Sequence, residues 1–481
     1  MKRLIILSLL FFTILNTEAQ IGIGINPPDP SAVLHIQDTA RGLLIPRMTM
    51  AQRLAIANPA QGLLVYQTNN GEGFWYFITG QWKYLSSTNN GGKYNIILTG
   101  TITNAQALAQ IIAELGPNTQ KITITNCTAL TAVDLSMITS IIDINISSNP
   151  VLLSVDLTNL QFVDGTFTVY NCPLLTNMPI SRLQTIGGSP DLTVPPFGGP
   201  SYYFGVNISG TNLANISLPL LTNLGGSMTI DNNPFLTSFI IPQLRQAGPV
   251  EISGNTTLTS IGFPVLVKAL SFAVSGSSAL TTLNLPLLAR DDEGIFVNGT
   301  ILSSISFPVL KHSGGLYIGG NTLLTNLSVP LLDTTSIPDG SGGGLTVTGN
   351  PLIQTLSAPK LKYAVMIDIE SNNALTTISL PLLTTIYSYT NNPVVTIKNC
   401  VNLTAVVLDA FVTFDGLTFD VSGNKLPSAQ VNYLLHKLVG ITPALGFITI
   451  TLNQSVPAPP TGQGITDKAT LVAAMNDVTT D

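Results

Sequence analysis

The residues able to do acid–base or metal chemistry are few and scattered. Three histidines, His35, His312 and His436, fall in three different segments, and none has an HExxH-type partner or a triad spacing. His312 follows a proline of the repeat described below and is expected in a solvated loop. His436 lies in an amphipathic helical stretch and is expected to flank the core. Cys127, Cys172 and Cys400 each follow an asparagine, Asn126, Asn171 and Asn399. That shared setting makes them small buried groups in a recurring turn, not redox or metal ligands. Carboxylates deserve more weight. Asp368 and Glu370 sit on one short strand, with Lys398 and Asp420 on the next two. One lysine among three carboxylates reads as a salt-bridged surface ladder, with a weak Ca²⁺ site as the lesser alternative. Asp231 and Glu251 form a thinner pair, and the run Asp291–Asp292–Glu293 reads as a solvated acidic turn. No G-x-S-x-G and no phosphate-binding loop is present. The residues therefore offer no catalytic set, no metal ligand set and no cofactor site.

What must position these groups is a repeat. Pro219, Pro242, Pro264, Pro286, Pro308, Pro330, Pro359 and Pro381 are separated by 23, 22, 22, 22, 22, 29 and 22 residues, each with an aliphatic residue six positions earlier. Self-similarity at that period marks a solenoid, whose function resides on an elongated surface. Each coil has an apolar–x–apolar strand, a turn such as Asn-Asn-Pro or Gly-Asn, and then LTxIxLPxL. Aligning the strands from Ile122–Ile124 to Leu417–Phe419 puts the flanking residues inward and the middle one outward. The outward row runs from Thr123 to Thr418 and is mostly Thr and Asn, as suits a solvated parallel sheet. Phe296 and Tyr317 break it on adjacent coils, about 5 Å apart. They are either a sugar-stacking or protein-anchoring spot, or a patch covered by the nearby loop 333–344. The candidate ligand-binding residues are thus Phe296, Tyr317, Asp368 and Glu370.

The remaining chain frames this array. Lys2 and Arg3 precede the apolar run Leu4–Leu15, a pattern expected of an export signal over residues 1–20. No later segment is an uninterrupted apolar stretch long enough for a membrane span. Residues 21–85 lack the period and carry alternating aromatic strands around a polar turn at Thr68–Gly73, which predicts a small β-rich module ending in a hairpin. A linker, 86–93, leads to the repeat solenoid, 94–425, which opens with a strand and a helix capped by Asn104. Two coils carry insertions, at about Ser181–Phe204 and at 333–344. Residues 426–481 are expected to close the array as helix, strand and helix. The fold class is therefore mainly β: a right-handed β-solenoid of about 22-residue coils with helical caps and a β-rich N-terminal module. Charged residues are only 9% of the chain and the net charge is −6 without any basic stripe, which argues against a nucleic-acid partner.

Two resemblances add to this reading. The strings GLLIPRMT, GLLVYQT and FWYF…QW resemble an N-terminal module of exported Bacteroidetes surface proteins. The coil pattern L-x-I-x-(G/N)-N-x-x-L-T-x-I-x-L-P-x-L resembles bacterial leucine-rich-repeat surface proteins and receptor L-domains, without the cysteine-rich modules of the latter. Together they imply a secreted or outer-surface protein of a Gram-negative bacterium that binds or adheres to an extracellular glycan or protein and is not an enzyme. A carbohydrate-active β-helix enzyme is the alternative, and it would need a dense carboxylate, arginine and histidine cluster.

Overall fold

The computed structural model describes residues 20–69, 72–85, 91–187, 204–336, 343–387 and 394–481. The expected export signal, most of the linker and the bulk of both expected insertions lie outside them. The chain divides into two compact units, Met1–Leu85 and Ser86–Asp481.

The first unit holds a short parallel pair, Ile21–Ile23 with Leu34–Ile36, and a four-stranded sheet. In that sheet Leu64–Gln67 pairs antiparallel with Gly73–Ile78, which pairs antiparallel with Gln81–Tyr84. Its core is built around a buried cation. Arg53 is 2% exposed, lies 3.9 Å over the Trp75 ring and donates to Gln67 Oε1 at 2.6 Å. Burial pushes its pKa down to about 10, so it stays charged at neutral pH. Much of the unit's apolar surface is nevertheless outside: Ile21, Ile23, Val33, Leu43, Leu44 and Phe74 are all exposed.

The second unit is a stack of parallel strands in which one sheet contains 21 strands among the described residues. A coil between the terminal ones contributes to up to three ladders. The first is the long one, where Met228, Val250 and Phe272 lie in direct register at the 22-residue period. The second consists of three-residue strands such as Ser238–Ile240 and Ser260–Gly262. The third follows the repeat proline, with pairs such as His312–Ser313 on Thr334–Thr335. Inward residues of all three form one continuous core, in which Ile230, Ile252, Phe239, Leu258, Phe272 and Val274 are at most 1% exposed.

The Asn and Gly residues at each turn have a specific task. The residue before the turn's buried position is left-handed: Asn126 at φ 54°, Asn232 at 53° and Asn399 at 56°, glycine as at Gly254, 64°, or serine as at Ser148 and Ser371, both 56°. The next residue points inward and joins a column along the array. Asn255 Oδ1 accepts from the Asn233 amide at 2.9 Å, while its Nδ2 donates to Ile230 O at 2.8 Å. Asn372 does the same for Asn350 and Val347. The three cysteines occupy this column. All are free and buried, and the amides of Cys127 and Cys400 donate to Asn149 and Asn424 at 2.9 and 3.0 Å. Burial raises each thiol's pKa, which keeps it unreactive.

Several expectations need correction. The helix Asn104–Glu114 is capped by Thr103 in a capping box with Gln106, not by Asn104. Asn104 instead accepts from the amides of Thr131 and Ala132 in the next coil. At the other end Thr418 pairs with Val394 and Thr449, whereas Asp420 pairs with Thr396, so Asp420 and not Thr418 continues the outward row. The buried Phe419 fixes that phase. The C-terminal segment is Ser428–Val439, Thr449–Thr451, Gln463–Ala473 and a further strand, Asp477–Thr479, and both strands extend the first ladder. His436 is on the outer face of its helix, 70% exposed, with Nδ1 3.2 Å from Asp467. A third insertion, 388–393, joins the two recognised in the sequence. All three connect a third-ladder strand to a first-ladder strand, at Ile186 to Gly205, Thr335 to Leu345 and Ile386 to Val394.

Candidate binding surface

The first ladder brings the four sequence-derived candidates onto one face. Phe296 is in register with Ala273 on one side and Tyr317 on the other; Tyr317 pairs with Thr346, which pairs with Asp368. Glu370 follows on the Asp368 strand, opposite Thr348 and Lys398. Phe296 is 40% exposed and Tyr317 half-buried. Their rings stack with centroids 4.3 Å apart and planes within 3°.

That geometry changes what the pair can do. Rings stacked along the array axis present edges to solvent and bury their facing sides against each other, so they do not form a flat two-ring platform. On its other side Phe296 has Ala273, and Tyr317 has Thr346. Beyond Phe296 the row continues with Ala273, whose methyl leaves a gap, and the exposed Glu251. Glycines allow the arrangement: a Cβ at Gly315 would overlap the Tyr317 ring, and one at Gly294 would come within 3.0 Å of Phe296. Whether loop 337–342 covers the pair lies outside the described residues.

Asp368 and Glu370 are adjacent without a shared cation. Burial is the main cause that pushes the Asp368 carboxyl above its ordinary range, and the Glu370 charge adds to it. Lys398 does not bridge the two strands. It pairs with Asp420 at 3.1 Å, and that bond is the main cause of its raised pKa. The expected ladder thus reduces to one Lys398–Asp420 pair. Among the described residues no group of three or more His, Cys, Asp or Glu is placed to hold a metal.

Sequence reasoning missed a charged cluster. The acidic run is not a solvated turn: it lies on the strand Arg290–Asn298, where the register slips between Ala269 and Ser271. Such a bulge sets two residues against one and re-aims their side chains. Asp291 turns into the core, fully buried. Burial is the main cause that lifts its carboxyl well above its ordinary pKa, and the charges of Asp292 and Glu293 add to it. The amides of Gly294 and Gly314 face it and pull the other way, yet neither carboxyl oxygen closes a hydrogen bond. Asp292, 7% exposed, lies against the third ladder, where its carboxylate takes Lys268 at 3.0 Å and Arg290 at 2.6 Å. His312, expected in solvent, is half-buried on that ladder, 3.9 Å from Asp292. Burial first, then the Arg290 charge, lowers its pKa.

Comparison with known proteins adds a partial match. Residues 22–103 match the family model described as a phage tail like trimerisation region. No curated protein matches. Among solved structures, the crystal structure of the pneumococcal vaccine antigen PcpA aligns over 88% of this chain and 100% of its own, at 11% identity and a TM-score of 0.16. At that score the two folds do not superpose as wholes. No helix among the described residues is long and apolar enough to cross a membrane.

Proposed function

We propose that this chain is a non-enzymatic, exported surface protein of a Gram-negative bacterium whose solenoid binds an extracellular glycan. The reading takes the coils as right-handed, the usual sense of a parallel crossover, and the terminal helices as covers for the ends of the core. Export rests on the character of residues 1–20. The observation that carries the ligand class is the exposed Phe296 next to the small Ala273. Phe296 and Glu251 lie two rungs, roughly 10 Å, apart, with only a methyl between them. One pyranose ring fits that gap with its C–H face on the aromatic ring and a hydroxyl donating to Glu251. Tyr317 backs Phe296 and holds its plane.

The N-terminal unit serves assembly in this reading. The match to a trimerisation region over residues 22–103 and the exposed apolar side chains of residues 21–44 support a trimer that presents three solenoids. Three weak sites on one assembly raise avidity without new contacts.

Binding of the purified protein to a glycan array tests the ligand class. Ala273→Leu fills the gap and leaves both rings in place, so it is expected to abolish binding, as is Phe296→Ala. Unchanged binding in both variants refutes the site. Release of new reducing ends from a polysaccharide would instead favour the enzyme reading, for which the Lys268–Asp292–Arg290–His312 cluster is the one specific observation.

A further inference from the structure

The repeat lines up basic side chains on the third ladder and its entry turn. Lys268, Arg290 and His312 are in direct register on successive rungs. One residue earlier in each coil, the turn column runs Arg245, Val267, Ala289, Lys311, Asp333, Lys362, tied rung to rung by backbone bonds such as Lys311 N to Ala289 O at 2.9 Å and Lys362 N to Asp333 O at 2.8 Å. Arg245, Lys268, Arg290, Lys311 and Lys362 are five of the twelve Lys and Arg that follow residue 93. They meet two carboxylates on this face, Asp292 and Asp333, which leaves a net charge of about +3 over five rungs, roughly 24 Å. Arg245, Lys311 and Lys362 are exposed and make no ion pair among the described residues.

Folding alone does not call for this arrangement. Like charges directly opposite on neighbouring strands destabilise a sheet, and Lys268 faces Arg290. One carboxylate, delivered by the bulge, answers both. Elsewhere the same columns carry uncharged residues, Gln246, Thr334 and Thr384, with no loss of register.

We infer that this strip binds an acidic polysaccharide, lying along the array with its carboxylates on Arg245, Lys311 and Lys362. The spacing favours a glycan over nucleic acid. The unpaired cations Arg245, Lys311 and Lys362 come three and two rungs apart, roughly 14 and 10 Å, against one charge per about 1.7 Å of duplex DNA. The rest of this acidic chain would repel the denser polymer. The inference rests on the glycan-binding reading for its ligand class, but it uses a different ladder and different residues.

The test is binding of polygalacturonate, neutral dextran and duplex DNA to the full-length protein and to the triple variant Arg245→Gln/Lys311→Gln/Lys362→Gln. Polygalacturonate is expected to bind, to weaken as salt rises, and to bind the triple variant at least tenfold more weakly. Phe296→Ala is expected to leave polygalacturonate binding intact, so failure of the Phe296 site and failure of the strip are read separately. The three replaced residues are exposed and unpaired, so the melting temperature should not move. Equal polygalacturonate affinity in the triple variant, equal binding of dextran, tighter binding of duplex DNA, or no polygalacturonate binding at low salt each overturns the inference.

Discussion

Replacing Asp291 should stabilise the protein, and by more as pH rises. The side chain is fully buried, neither oxygen has a hydrogen-bond partner, and the preceding rungs carry Ala247 and Ala269 in its column. Leaving a buried polar group unpaired costs about 1–3 kcal/mol, more for a charge. Asp291→Ala removes that cost and leaves a void little larger than a methyl, worth about 1 kcal/mol against it. A net gain of up to about 2 kcal/mol follows from those two terms. The pH dependence carries its own sign. The carboxyl's pKa is raised in the folded state, so the folded protein keeps a proton that the unfolded chain releases above about pH 4. Between that pH and the folded value the wild type loses stability, at up to about 1.4 kcal/mol per pH unit. Below the unfolded value both states are protonated and this loss vanishes. Urea unfolding of wild type, Asp291→Ala and Asp291→Asn at pH 4, 6 and 8 measures it. The advantage of both variants should widen from pH 4 to pH 8. A difference that stays constant across that range, or narrows, refutes the assignment of Asp291 as a group held neutral by burial.

Other outcomes follow from the same structure. Asn255→Ala strands the Asn233 amide and the Ile230 carbonyl, so it should cost about 2–4 kcal/mol in urea unfolding. Arg53→Met removes the cation packed on Trp75 and its bond to Gln67 Oε1; near-ultraviolet circular dichroism should report loss of the tryptophan environment at a lower temperature than in wild type. A chain beginning at residue 104 should have about a quarter of the mass of the longer protein in light scattering, and an unchanged subunit number would refute trimerisation through residues 22–103.

The period was legible because it is written in single residues. Prolines at fixed spacing and the apolar–x–apolar strands predict the 22-residue register seen between Met228, Val250 and Phe272. The outward row was read correctly from Thr123 to Thr396 and failed only at the last coil, where Leu417–Phe419 and Phe419–Val421 fit the same alternation and packing of Phe419 decides. Phe296 and Tyr317 were found as neighbours, but their stacking depends on Gly294 and Gly315, which have no side chain to announce it. The charged strip was missed for another reason. Its signal exists four residues after successive prolines, at Gln246, Lys268, Arg290 and His312, yet those segments read as loops until a third ladder is recognised. The bulge at 292–293 is a one-residue change in spacing, and nothing in DDE itself distinguishes a solvated turn from a buried carboxylate.

The column of Asn, Thr and Cys side chains also sets how the molecule bears load. Each coil bonds only to the coils before and after it, so tension applied at the C-terminus is resisted by one rung at a time and not by the whole sheet. Detaching a 22-residue coil would release about 75 Å of chain while the rest of the array stays folded. A protein anchored at one end and pulled by flow at the other would then lengthen in steps, shedding force while its remaining coils keep hold.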